Sequence, residues 1–405
     1  MKIITRSDKL EHVHSDIRGP LFVEAMRMVG EGIDVLRLNT GNPGTFGFKM
    51  PDSVKNALLE NADKATAYCD LKGMPVAREA ICAYHQKKGF QGITPDDVFI
   101  GNGVSELVTM TLTAFVNSGD EILLPSPDYS LWTNSIHIAG GVPVYYECNE
   151  DDHWYPDLDD IKAKITNRTR AIVIINPNNP TGVLYPQELV EQIIEIAREN
   201  DLVIFSDEIY DRLVMDGKKH VSTASLAPDI LTVTFNGLSK SHIVCGFRCG
   251  WMVISGPKEN ASDFIAGIVQ LAAMRLCANA LMQLVIPAAL NDPDSTNELL
   301  VPGGRLYEQR EACIREIEKI DGLSCVKNDA AFYIFPKLDV EKFNITNDEK
   351  FALDYLHSKN VLVIPGKGFS WKKPDHFRVV MLPEAEVLAK AMRDLGDFLK
   401  DYKQK

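Results

Sequence analysis

Lys240 lies in the stretch TFNGLSKSHIVCGFRCGW, residues 234–251, with Leu238, Ser239 and Ser241 beside it and Arg248 eight positions on. An amine among small and apolar residues is poorly placed for a surface ion pair. Partial desolvation lowers the pKa of such lysines, which suits them to nucleophilic or Schiff-base chemistry. Taken alone, the segment reads equally well as an ordinary loop lysine, so its meaning rests on what accompanies it.

Three further segments carry groups that could work with it. In GNGVSEL, 101–107, Gly103, Val104 and Ser105 open a helix. The free backbone N–H groups there can hold a phosphate, or simply close a strand–helix turn. The third glycine of a G-x-G-x-x-G fingerprint is missing, which argues against a dinucleotide site. In NPNNPTG, 176–182, two Asn-Pro steps keep the backbone out of the helical region, and Asn179 projects its amide from that rigid support. In VIFSDEIY, 203–210, Asp207 ends an apolar run, where a carboxylate needs a cationic or protonated partner. Apolar residues followed by an acidic pair also resemble the magnesium-binding strand of a P-loop ATPase, but the required G-x-x-x-x-G-K-[ST] loop occurs nowhere in the chain. A phosphate cradle, an amide, a carboxylate and an amine together fit pyridoxal 5'-phosphate (PLP). That cofactor needs a Schiff-base lysine, an acidic partner for its ring nitrogen, donors to its phenolic oxygen and an anion site.

The elements that must position these groups are legible as short apolar runs. VFIG (98–101), EILL (121–124), VPVYY (142–146), AIVII (171–175), LVIFS (202–206), ILTVTF (230–235) and WMVIS (251–255) do not alternate in polarity, as suits strands buried on both faces. Between them, 105–117 and 186–199 carry apolar residues at helical spacing, with Pro186 in a first turn. Strands alternating with helices predict an α/β domain with a mainly parallel seven-stranded sheet, the last run being the one antiparallel strand. The chemistry-bearing segments then follow strand C-termini, where open α/β sheets bind ligands. Beyond about 290 the pattern changes to α+β: a helix over 303–320, a hairpin-like pair in CVKND and AAFYIFPKL, a helix over 347–358, strands VLVIPG and FRVVML, and a helix over 384–402. The expected division is a large domain over 51–290 and a smaller one over 291–405, with 1–50 packing on the smaller.

The chain has 405 residues, 45% apolar and 24% charged, and a formal net charge of −13. That charge disfavours nucleic acid and anionic membranes as partners and suits a soluble cytoplasmic enzyme. The N-terminus MKIITRSDKL lacks a secretory apolar region, and no apolar run approaches the ~20 residues needed to span a bilayer. The eight cysteines include no C-x-x-C pair and read as reduced packing thiols. Cys245 and Cys249 are four apart without supporting histidines, so no metal site is expected.

NPNNPTG, SDEIY and GLSK…GFRCGW, in this order and spacing, make the chain resemble the class I aminotransferases of PLP fold type I over almost its whole length. DIRGP (16–20), LNTGNP (38–43), AYCDLKG (67–73), PSPDYSLW (125–132) and PGGRLYEQR (302–310) resemble bacterial alanine (glutamate–pyruvate) aminotransferases in particular. The resemblance implies that Lys240 forms the Schiff base, Asp207 pairs with the ring nitrogen, and Asn179 and Tyr210 bond the phenolic oxygen. It implies a phosphate site from Arg248, Ser105, Ser239 and the backbone at Gly103–Val104, with Tyr129 stacked on the ring. Arg378, in HFRVV, takes the substrate α-carboxylate as a bidentate fork, and Gly41 lets the backbone approach the same group. Tyr68 matches a tyrosine that reaches the phosphate of the neighbouring subunit, which implies a homodimer with shared sites. The chain departs from the family at Gly237, where serine is common, and at Ile243 and Cys249.

The implied reaction is ping-pong transfer between alanine plus 2-oxoglutarate and pyruvate plus glutamate. Arg18, with Ser15 nearby, is the candidate for the distal carboxylate of glutamate; a plain surface arginine is the competing reading. Tyrosine-, kynurenine- or valine–pyruvate-type aminotransferases and β-lyases would use the same cofactor residues. A PLP-binding transcription regulator would need a DNA-binding domain and a basic patch, which this acidic chain does not offer. A scaffold on this fold would not need Lys240, Asp207, Asn179 and Arg378 together.

Overall fold

The seven apolar runs all become strands of one sheet. The computed structural model describes residues 3–14, 19–292 and 294–405. Its main sheet comprises β1 (Val98–Gly101), β2 (Glu121–Ser126), β3 (Val142–Asn149), β4 (Tyr155–Pro156), β5 (Thr169–Ile175), β6 (Val203–Asp207), β7 (Thr232–Gly237) and β8 (Gly250–Ser255). The spatial order is β1-β8-β7-β6-β5-β2-β3-β4. Pairing is parallel from β7 through β6, β5 and β2 to β3. β8 runs antiparallel to both β1 and β7, as the sequence predicted. The eighth strand, β4, corrects the expected count: it is a two-residue edge piece antiparallel to β3, too short to leave a hydropathy signal.

Period-two alternation explains why the runs are apolar throughout. Ala171, Val173 and Ile175 of β5 pack on one face with Leu107, Val108, Trp132, Ile136 and Ile268. Ile172 and Ile174 face the other way, against Val190, Ile193, Ile194 and Ile196. Each buried face has its own helices: Val104–Phe115, Leu131–Ala139 and Ser262–Met274 on the first, Gln187–Glu199 on the second. Pro186 is the residue before that last helix rather than in its first turn, a one-residue difference of the usual size at helix ends.

The C-terminal helices fall at Arg305–Ile317, Asp348–Lys359 and Ala385–Leu399, close to the predicted spans. The expected hairpin of CVKND with AAFYIFPKL does not form. Leu323–Ser324 pairs with Lys337–Leu338, whereas Tyr333–Ile334 pairs antiparallel with Phe377–Val380. Ala331 adopts a left-handed φ of 58°, and Pro336 has no N–H to donate, so the run cannot continue as one strand. Leu36–Arg37 pairs in parallel with Val361–Leu362, and Leu21, Ala25, Met28 and Leu38 share an apolar cluster with Phe351, Leu356, Leu388 and Leu395. A further cluster, with Phe48, Tyr210, Leu213, Leu306, Phe332, Tyr333 and Leu382, joins this part of the chain to the C-terminal edge of the sheet. Among the described residues no helix is long and apolar enough to cross a membrane.

Candidate active site

A cavity of about 380 Å³ opens where β5, β6 and β7 end, walled by Ile175, Asp207, Ser239 and Lys240. Lys240 sits on a single helical turn, Leu238–Ser241, directly after β7. Its Nζ donates to Gly41 O at 2.7 Å, approaches Cys245 Sγ at 3.6 Å and lies 5.6 Å from the centre of the Phe332 ring. Burial works to lower its pKa, but Tyr333, Cys245 and Tyr129 outweigh it and the net direction is upward. The depressed amine expected from desolvation is therefore not what these side chains alone produce.

Asp207 ends β6 and is 3% exposed. Its oxygens accept from Trp132 Nε1 at 3.2 Å and Ile209 N at 3.3 Å. No cation among the described residues compensates it, and burial pushes its carboxyl from 3.8 up to about 6. A carboxyl raised in this way binds its proton more tightly folded than unfolded, so its contribution to stability falls as pH rises through that window. Asp207 is thus a buried carboxylate facing a cavity without a positive partner.

Arg378 is the matching buried cation. It is 1% exposed, and its Nη1 donates to Asn179 Oδ1 at 2.9 Å and its Nη2 to Asn39 O at 2.5 Å. The guanidinium lies between the Tyr333 and Phe369 rings, 4.5 and 4.6 Å from their centres. Among the described residues its Nε has no partner and no carboxylate offsets the desolvation, so burial lowers its pKa. Arginine only donates, so the atom of Asn179 facing it is the oxygen, and the Asn179 NH₂ is free to point elsewhere. The loop that carries Asn179 is buried throughout 176–182, with both Asn-Pro bonds cis and Asn176 Oδ1 accepting from Tyr185 N at 2.9 Å. Tyr210 Oη donates to Tyr333 Oη at 2.9 Å.

At the other end of the cavity, Arg248 Nη2 donates to Ser105 Oγ at 3.3 Å beside the start of the helix Val104–Phe115. The first-turn N–H groups of that helix have no intrahelical acceptor. Gly103, just before it, has φ of 89°, and a Cβ there would overlap Arg248 Nη2; only glycine fits.

The cavity therefore gathers Gly41, Val104, Ser105, Tyr129, Asn179, Asp207, Tyr210, Ser239, Lys240, Arg248 and Arg378. Gly103 is not among the residues of the wall. Tyr68 does not line the cavity and is 81% exposed. Arg18 and Ser15 lie outside the described residues. Sequence reasoning missed Tyr333 and Cys245, both in the wall. Cys245, a packing thiol by its sequence, is half-buried, and its Sγ donates to Ser239 O at 2.8 Å. Tyr333 was hidden in an aromatic run that reads only as a strand. Between Lys240 and Arg248 the chain takes two left-handed residues, Ile243 at φ 62° and Arg248 at φ 53°. For a β-branched residue that conformation is an outlier, the kind of local strain that clusters at working sites.

A model of "Aminotransferase class I and II" matches residues 33–395. The chain belongs to that family. The glutamate-pyruvate aminotransferase AlaA of Haemophilus influenzae is 54% identical over 404 residues, covering 100% of both chains. The crystal structure of an aminotransferase from Escherichia coli superposes with a TM-score of 0.99 at 50% identity, again over 100% of both chains. An alanine aminotransferase from Pyrococcus furiosus does so with a TM-score of 0.93 at 38% identity, covering 98% of this chain and 100% of the other.

In this aminotransferase the departure at Gly237 has a packing cause. A Cβ there would lie 2.6 Å from Cys249 O and 2.9 Å from Gly250 Cα, both backbone atoms of the paired strand region. Gly237→Ser is expected to cost about 1–3 kcal/mol of stability through that overlap, with no gain in phosphate affinity; urea denaturation and phosphate titration of the variant check both. Cys249 Sγ reaches Met282 O at 3.6 Å, and burial pushes its thiol up to about 12, which makes it a packing thiol.

Proposed function

We propose that this aminotransferase uses pyridoxal phosphate to exchange an amino group between alanine and 2-oxoglutarate, giving pyruvate and glutamate by a ping-pong route. The observation that carries the reading is that Asp207 and Arg378, two buried ionisable groups with no compensating charge among the described residues, share one cavity with the Lys240 amine. Asp207 calls for a cationic N–H, and Arg378 for a planar anion.

The donor set fits the cofactor. Asp207 would hold the proton of its ring nitrogen, Tyr210 and the free NH₂ of Asn179 would donate to its phenolic oxygen, and Tyr129 would cover the ring. Arg248, Ser105, Ser239 and the N–H groups around Val104 would hold its phosphate, as anions sit at helix N-termini. When bound, pyridoxal phosphate supplies the carbon that takes up the amino group and a ring that accepts the electron pair left at the substrate Cα. Arg378 forks onto the substrate α-carboxylate, and Gly41, lacking a side chain, leaves room beside it. Lys240 Nζ removes the proton from the substrate Cα and redelivers it, acting as base and then acid. Its contacts to Gly41 O and Cys245 Sγ keep the freed amine at the cavity wall.

Alanine as substrate is supported by the names of relatives about half identical over the full chain. Arg18 remains the proposed partner of the distal carboxylate of glutamate. Steady-state assays with four donors test the choice. Alanine and glutamate are expected to exceed valine and tyrosine by about tenfold or more in kcat/KM, the scale on which side-chain fit discriminates; a reversed order would favour the valine- or aromatic-type reading.

A homodimer belongs to the same proposal. Tyr68, Met274 and Leu276 are 81%, 80% and 53% exposed. Their two segments are tied together by Cys69 N to Cys277 Sγ at 3.5 Å and Arg275 Nη2 to Leu71 O at 3.4 Å, so the exposed apolar groups share one surface. Division of the chain into 51–290 and 291–405, with 1–50 on the latter, is supported by the apolar cluster shared between Leu21–Leu38 and the C-terminal helices. Eight free thiols support a cytoplasmic location.

A further inference from the structure

Tyr333 stands at a junction of three segments. Its strand pairs antiparallel with Phe377–Val380, the strand that carries Arg378. Its own carbonyl closes on the Asn-Pro loop, where a Cβ on Gly182 would lie 2.7 Å from Tyr333 O. Asp329 N and Ala330 N both donate to Gly182 O, at 3.0 and 2.8 Å. Main-chain contacts thus fix the segments of Asn179, Arg378 and Tyr333 to one another. The Tyr333 side chain is 3% exposed and forms part of the cavity wall. Its ring face carries the Arg378 guanidinium at 4.5 Å, and its hydroxyl accepts from Tyr210 Oη at 2.9 Å. Gly41, whose carbonyl holds Lys240 Nζ, lacks a Cβ where Tyr333 Oη would overlap one.

We infer that Tyr333 is a positioning residue for both ends of the site: its hydroxyl holds that of Tyr210, returning a proton to it when Tyr210 turns its own into the cavity, and its ring fixes the plane of Arg378. The inference rests on the function proposed above. A phenol has one proton and two acceptor positions. Tyr210 is the donor in the 2.9 Å contact; once it gives that proton to a ligand in the cavity, the contact is kept only if Tyr333 becomes the donor. Donation from Tyr333 then polarises Tyr210 and makes it the stronger donor to a negative oxygen. The ring has a separate task. Among the described residues Arg378 Nε has no partner and the guanidinium makes two hydrogen bonds, so the stacking of Tyr333 opposite Phe369 restrains its plane. A phenylalanine at 333 would keep the second task and lose the first; a leucine would lose both.

The test compares holoenzyme with Tyr333→Phe and Tyr333→Leu, using L-alanine and 2-oxoglutarate. In Tyr333→Phe, kcat is expected to fall about five- to tenfold, the worth of one hydrogen bond, with KM for alanine within about twofold of the parent. The midpoint pH of its visible absorbance is expected to rise by roughly half a unit or more, because a weaker Tyr210 stabilises the deprotonated chromophore less. Tyr333→Leu is expected to raise KM for alanine by about fivefold or more in addition. A purely structural role would lower the melting temperature and leave the absorbance midpoint in place. Wild-type kcat and midpoint in Tyr333→Phe overturn the inference, and that variant decides the matter if Tyr333→Leu does not fold. If the parent holoenzyme shows no absorbance change with L-alanine, the function and the inference fall together; if it does and Tyr333→Phe matches it, only the inference falls.

Discussion

Lys240→Ala is expected to lower kcat by about 10⁴-fold or more, near the upper end of what one general acid–base group contributes. No other side chain in the cavity can take its place. Asp207 is held by Trp132 and Ile209 at the far end of β6. Burial raises the Tyr129 and Tyr210 phenols, which leaves them protonated and unfit as bases near neutral pH. Cys245 Sγ is turned to Ser239 O. The substitution removes contacts to Gly41 O, Cys245 Sγ and the Phe332 ring, none of them part of a strand or helix ladder, so the fold should survive it. Steady-state rates and a melting curve, measured side by side, check both halves: activity lost, melting temperature within a few degrees of the parent. A variant retaining more than about a tenth of the parent kcat would remove Lys240 from the chemistry.

Arg378→Lys carries the second large effect. The guanidinium meets Asn179 Oδ1 and Asn39 O and is stacked between two aromatic rings. An ammonium is a point charge without the planar fork and cannot repeat that geometry. Losing one charge-assisted hydrogen bond and the plane that directs the rest should cost about 3–4 kcal/mol in kcat/KM, or about 10²–10³-fold. Most of it should fall on KM for alanine, because the contact is to a carboxylate that does not change charge in the reaction. A smaller loss in kcat is expected because Arg378 also sets which way the Asn179 amide faces. Equal KM values for Arg378→Lys and the parent would contradict the assignment of the α-carboxylate site.

Strands and active groups were legible for the same reason. A strand buried on both faces must be apolar throughout, so AIVII and LVIFS declare themselves, and a polar residue at the end of such a run, like Asp207, stands out. Lys240 is conspicuous in the sequence only by its company; burial lowers its pKa as its neighbours suggest, but Tyr129 and Tyr333, from elements distant in sequence, and Cys245 act against it. Arg378 had no local signal and entered through family resemblance; its isolation among aromatic rings is visible only in three dimensions. Tyr333 was hidden because FYIF reads as one strand, whereas the left-handed turn at Ala331 and the proline at 336 split that region between two partners. The two-residue β4 carries too little pattern for any reading of hydropathy.

The most direct measurement is a single half-reaction. Holoenzyme is mixed with L-alanine in the absence of any 2-oxo acid, and pyruvate, ammonia and visible absorbance are followed together. The account predicts about one pyruvate per chain, loss of the visible band, no ammonia, and recovery of the band when 2-oxoglutarate is added, as ping-pong transfer requires. Absence of pyruvate, or its continued release with ammonia in the absence of an acceptor, would contradict it.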